Sequence, residues 1–143
     1  MLECLIIGDS IAVGTQQFYP ECHLLGKGGI NTWQWNRMYP VVHETSKIAV
    51  ISLGTNDHAG VHTRSELQAA RKKIVSERVF WILPYGNLAA SRVPITEIQQ
   101  IVQEIAAEHG DRVISINGIQ RDGIHPSWTG YRRIVEQVKT DIK

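Results

Sequence analysis

The stretch Leu2-Glu3-Cys4-Leu5-Ile6-Ile7-Gly8-Asp9-Ser10-Ile11-Ala12-Val13-Gly14 decides the fold. Its apolar run, residues 2–7, shows little polar alternation and stops at a Gly-Asp-Ser turn. Short continuous apolar runs mark strands covered on both faces, as in a parallel sheet. A serine at the sharp turn from such a strand into a helix projects its hydroxyl from the helix N-terminus. Backbone N–H groups and the helix dipole favour an oxyanion there.

The same alternation continues along the chain. Residues 22–25, 48–53, 79–83 and 113–116 read as further strands. Thr63-Arg64-Ser65-Glu66 has capping-box spacing and opens a helix with Leu67, Ala70 and Ile74 on one face. Pro94 suits a first helical turn, Ile98, Ile101, Val102 and Ile105 follow at helical spacing, and Gly110 is placed to end that helix. After Pro126 and Ser127, the residues Tyr131, Ile134, Val135 and Val138 repeat the pattern to the C-terminus. Right-handed crossovers then predict an α/β fold, a three-layer α/β/α sandwich around a five-stranded parallel sheet of flavodoxin-like type.

At 143 residues, the chain 1–143 is expected to form one domain with a sizeable core. Hydrophobic residues at 43% and charged residues at 20% argue against disorder. Fifteen Lys and Arg against fourteen Asp and Glu leave a formal charge of +1, so nucleic acid is not an expected partner. No run approaches the roughly 20 apolar residues of a membrane span. No signal peptide is visible, and the cytoplasm is the default expectation. Cys4 and Cys22, too few for a disulfide scaffold and without CxxC spacing, read as small apolar residues near the core. Nothing in the sequence sets an oligomeric state.

In parallel sheets the ligand site lies beyond the carboxyl ends of the strands, so the loops there carry the chemistry. Gly8-Asp9-Ser10 follows the first strand, Gly26-Lys27-Gly28-Gly29-Ile30-Asn31 the second, Gly54-Thr55-Asn56-Asp57 the third, and Asp122-Gly123-Ile124-His125 the fifth. Each alone is an ordinary turn or cap. Together they bring a nucleophile, oxyanion donors, a base and an orienting carboxylate to one edge, the set that acyl transfer requires.

In these blocks the chain resembles the SGNH hydrolases, also called the GDSL esterase/lipase family. Ser10 matches the first block, Gly29 the second with Gly28 as its rival, Asn56 the third, and Asp122 with His125 the last. Ile11 replaces the usual leucine after the serine, and the chain is short for the family. The resemblance implies a serine esterase with Ser10 as nucleophile, His125 as base and Asp122 orienting it. Ser10 and Gly29 backbone N–H groups and the Asn56 side chain would form the oxyanion hole, with no metal or other cofactor. Asp9 and Asp57 read as structural acceptors within their loops.

His58 and His62 have the i, i+4 spacing of metal ligands but lack a convincing third partner. Trp33, Trp35, Tyr85 and Trp128 are candidates to wall the cleft, suited to sugar faces or acyl chains. Trp81 reads as core. The segment 84–93, with Asn87, Ser91 and Arg92, is partly polar and offers little material for a long acyl groove. A short acyl ester, acetyl above all, on a carbohydrate alcohol is therefore the expected substrate. Alternatives are a lysophospholipase or thioesterase of the same family, or a non-catalytic glycan- or nucleotide-binding module. A neutral histidine base predicts kcat/KM rising from about pH 6 to 8 and then levelling off.

Overall fold

The computed structural model describes residues 1–86 and 88–142. Asn87, noted above in the segment 84–93, lies outside them. Five parallel strands, β1 (Leu2–Gly8), β2 (His23–Gly26), β3 (Thr45–Ser52), β4 (Val75–Leu83) and β5 (Arg112–Ser115), form one sheet in the order β2-β1-β3-β4-β5. Between and after them run α1 (Ser10–Gln17), α2 (Thr32–Met38), α3 (Thr63–Lys72), α4 (Ile95–His109) and α5 (Trp128–Asp141).

Alternate residues of each strand feed opposite faces of the sheet. Cys4 and Ile6 of β1 pack with Ile11 and Ala12 of α1 and with Tyr131, Ile134 and Val138 of α5. Leu5 and Ile7 pack on the other face with Trp35 of α2, Leu67 and Ala70 of α3, and Val102 and Ile105 of α4. This is the expected three-layer sandwich. Strand order reverses between β1 and β3, so a crevice opens beyond their carboxyl ends, where Ser10 and Asn56 lie.

Several local readings change. β3 and β4 begin earlier than their apolar runs, at Thr45 and Val75, because the polar Ser46 and Ser76 lie opposite one another in the ladder and join their hydroxyls. Helix α2 shows no long apolar periodicity. It is set by Asn31, whose side chain accepts from the Gln34 N–H while the Gln34 side chain accepts from the Asn31 N–H. The capping box expected at Thr63 does not form: His62 precedes α3, and the Thr63 hydroxyl donates to Asp57 instead. Pro94 caps α4 just outside the helix, and Gly110 ends it with φ +69°. Cys4 and Cys22 are buried as expected but are not free thiols. The parallel register that sets Leu5 opposite His23 brings their Cα atoms to 4.5 Å, and they form a disulfide.

Candidate active site

Gly8 makes the turn into Ser10 possible. Its φ is +138°, and a Cβ there would lie 1.8 Å from the Ser52 carbonyl oxygen of β3. Only glycine lets β1 run this close to β3 and then turn. The Asp9 N–H donates to the same Ser52 carbonyl at 3.0 Å, and the Asp9 side chain caps α1 by accepting from the Ile11 N–H at 3.0 Å. Ser10 is thereby the first residue of α1, half-buried at the sheet edge.

His125 arrives from the far end of the chain. Its loop, between β5 and α5, is closed on itself: Gln120 N–H donates to the His125 carbonyl, Gln120 Nε2 to the Pro126 carbonyl, and Ser127 N–H to the Gly118 carbonyl. Ile119 and Pro126 bridge its stem. The His125 Nε2 lies 2.8 Å from Ser10 Oγ, and its Nδ1 lies 2.6 Å from Asp122 Oδ2. With Nδ1–H donating to the carboxylate, Nε2 is left to accept from the serine hydroxyl. Asp122 Oδ1 accepts from the backbone N–H groups of His125 and Ile124. These donors, the His125 backbone first, hold the Asp122 carboxyl down at about 2, so it is a carboxylate throughout the neutral range.

The other side of Ser10 is formed by the loops after β2 and β3. A Cβ on Gly28 would lie 3.8 Å from Ser10 Cβ, which puts this glycine directly against the serine, and Gly29 takes φ +80° beside it. Asn56 donates from Nδ2 to the Ile30 carbonyl at 2.9 Å, which joins the two loops and leaves its second N–H uncommitted to that bond. Asp57 anchors both loops from below. Its carboxylate accepts from the Thr32 N–H, the Thr32 hydroxyl and the Thr63 hydroxyl, tying the starts of α2 and α3 together.

The aromatic candidates separate. Trp33, Tyr85 and Trp128 are exposed, Trp128 by 73%. Trp33 carries the Arg37 guanidinium 4.7 Å above its ring. Next to Tyr85, the backbone at Gly86 abuts the Gly123 carbonyl of the loop that carries Asp122 and His125, where a Cβ would lie 2.3 Å from its oxygen. Trp35 is no part of the cleft wall. It is 0% exposed, packs in the core against the sheet, and donates from its indole to the Leu25 carbonyl at 3.0 Å, because α2 turns that face inward. Trp81 is likewise core, its indole donating to Asp111.

His58 and His62 line a surface cavity of about 680 Å³ with Arg64, Arg92 and Ile98, between the starts of α3 and α4. Among the described residues no group of three His, Cys, Asp or Glu side chains converges on a metal position. Sequence reasoning missed three supports of the site: Ser52, the Ile30 carbonyl and Thr32. Their parts are played through tertiary contacts, and only the Asn31-x-x-Gln34 cap hinted at the ordered start of α2.

The sheet order and the layers define a three-layer α/β/α sandwich, the fold of the SGNH hydrolases. Among solved structures, the chain is similar to a Bacteroides fragilis protein assigned to the acylhydrolases (18% identity, 98% of this chain and 87% of that one, TM-score 0.68). It is also similar to Axe2, an acetylxylan esterase from Geobacillus stearothermophilus (17% identity, 99% and 94%, TM-score 0.61). A third likeness is to a Parabacteroides merdae protein assigned as a GDSL-like lipase (14% identity, 94% and 92%, TM-score 0.66). No family model matches the chain, and no curated protein matches it in sequence.

Proposed function

We propose that residues 1–143 act as one serine esterase domain that hydrolyses short acyl esters, acetyl above all, on a carbohydrate alcohol. The observation that carries this reading is the unbroken chain of hydrogen bonds from Ser10 through His125 to Asp122, set at the N-terminus of α1. Ser10 Oγ attacks the ester carbonyl as His125 Nε2 takes its proton. The Asp122 carboxylate holds the imidazole and balances the imidazolium, which then protonates the leaving alcohol. Water repeats the sequence on the acyl-enzyme with the same base. The oxyanion is met by the backbone N–H groups of Ser10 and Gly29 and by the free N–H of Asn56, each worth roughly 100- to 1,000-fold in rate. Gly28, against the serine, is the alternative to Gly29.

The substrate class rests on the shape of the surroundings. Ser10, His125 and Asn56 are half-buried, Asp122 is exposed, and Trp33 and Trp128, in the first turns of α2 and α5, are exposed. An open site rimmed by exposed aromatics suits a sugar chain lying across it, whereas long acyl groups need an enclosing apolar wall worth roughly 0.8 kcal/mol per methylene. The likeness to an acetylxylan esterase fits the same reading. The buried Cys4–Cys22 disulfide favours an oxidising compartment over the cytoplasm.

The test is labelling by a fluorophosphonate together with kcat/KM for p-nitrophenyl acetate, butyrate, octanoate and palmitate. The wild type should be labelled and fastest on acetate, and Ser10→Ala should lose both properties while keeping its fold. An unlabelled wild type would mean a binding module, and a maximum at octanoate or beyond would mean a lipase or thioesterase.

A further inference from the structure

The residue beside the nucleophile has no part in the scheme above, yet its surroundings are unusual. Asp9 is 0% exposed. Its Oδ1 accepts from the Ile11 N–H and from the Ser52 hydroxyl, but its Oδ2 is one of two buried side-chain polar atoms without a partner among the described residues. The other, Thr55 Oγ1, belongs to the block that carries Asn56. No Lys, Arg or His forms an ion pair with Asp9 among the described residues. From β3 it faces the Ser52 hydroxyl. From α5 it faces Tyr131, whose phenol is held at about 12 by burial first and then by the negative charges of Asp9 and Asp122. The Tyr131 ring is pressed against α1 at Gly14, where a Cβ would lie 2.4 Å from its Cζ. His125, on the far side of Ser10's hydroxyl, is bonded to the serine and already paired with Asp122.

A carboxylate in such a place has one oxygen without a donor and no cation to balance it, which favours the protonated form. The location matters because Asp9 is the N-cap of the helix whose first N–H, that of Ser10, is assigned to the oxyanion. We propose that Asp9 is a positioning residue that works as a neutral carboxylic acid. It caps α1 without placing a negative charge behind the Ser10 N–H, and its ionisation switches ester hydrolysis down. This rests on the serine-esterase reading. Imidazolium formed during the reaction is already met by Asp122, so the added charge acts chiefly against the oxyanion. Burial, as the largest cause, raises the Asp9 carboxyl to about 7, which sets the switch near neutrality. The activity profile is then a peak that falls again above neutrality, in place of the plateau that a histidine base alone produces.

The experiment measures acetate release from one substrate by wild type and Asp9→Asn across the pH range. Asparagine keeps the Oδ1 acceptor for Ile11 and Ser52 and cannot ionise. Wild-type kcat should fall on the order of tenfold between about pH 7 and about pH 9, and the Asp9→Asn rate should show no fall over that interval. Parallel falls in the two proteins would overturn the proposal. Infrared spectra of the wild type give a second reading that needs no variant. A protonated carboxylic acid band should be present near about pH 6 and lost by about pH 9, and its absence at the lower pH would also overturn the proposal. Fluorophosphonate labelling of the same wild-type sample separates this outcome from failure of the esterase reading itself, which would leave Ser10 unlabelled at every pH.

Discussion

Replacing Asp57 by alanine tests whether the loops after β2 and β3 share one anchor. The carboxylate is 0% exposed and accepts from the Thr32 N–H at 2.8 Å, from the Thr32 hydroxyl at 2.9 and 3.0 Å, and from the Thr63 hydroxyl at 2.9 Å. Truncation leaves the Thr32 N–H buried without an acceptor, at about 1–3 kcal/mol, and strands two hydroxyls at about 1 kcal/mol each. The gross loss is about 3–5 kcal/mol. Burial also raises the Asp57 carboxyl above its ordinary range, so removing it relieves some desolvation and brings the expected net loss to about 3 kcal/mol. For a chain of this size that corresponds to roughly a 10 °C drop in Tm. Urea unfolding should show a lower midpoint with the slope preserved. Because Thr32 follows Gly28-Gly29-Ile30 and Asn56 precedes Asp57, kcat should fall on the order of 100-fold, with KM changing much less. Asp57→Asn retains the acceptor for the Thr32 N–H and should lose only about 1 kcal/mol. A stability loss below about 1 kcal/mol in Asp57→Ala would refute the anchoring argument.

Asp122→Asn should lower kcat on the order of 10⁴-fold with little change in Tm, since the carboxylate lies at the surface and serves the imidazole. Trp33→Ala should raise KM for acetylated oligosaccharides while sparing p-nitrophenyl acetate, whereas Trp35→Ala should cost about 3–5 kcal/mol of stability measured by denaturant titration. Reduction of Cys4–Cys22, which are 18 residues apart, should lower stability by about 3 kcal/mol, read from unfolding with and without reductant. Asp9 adds a pH signature. Its folded value of about 7 exceeds the ordinary 3.8, so the stability it supplies is full below about 3.8 and lost as pH rises through about 7. The gap is worth about 4 kcal/mol at most, and Asp9→Asn should flatten that decline in the unfolding free energy.

Local chemistry was enough to read the strands, because each has a short apolar run ended by a turn, and each motif lies in the loop that follows one. It also sufficed to associate Ser10, Asp122 and His125, since parallel strands deliver their following loops to one edge. Polar strand starts escaped it: Ser46 and Ser76 are satisfied by each other across the ladder, a relation invisible in either segment alone. The cysteines gave no sign of pairing in their spacing, because their bond follows from the register of β1 against β2. Thr63 had the spacing of a helix cap, but a buried carboxylate six residues earlier competes for its hydroxyl and wins. Trp33 and Trp35 looked alike in sequence. The rotation of α2 set by the Asn31 cap sends one outward and the other under the sheet layer. What only the folded chain decided is proximity: Ser10 and His125 are 115 residues apart, and their 2.8 Å contact depends on a self-closed loop after β5 that α5 carries back over α1. Propensity and periodicity act over a few residues, whereas such contacts are set by how the layers pack.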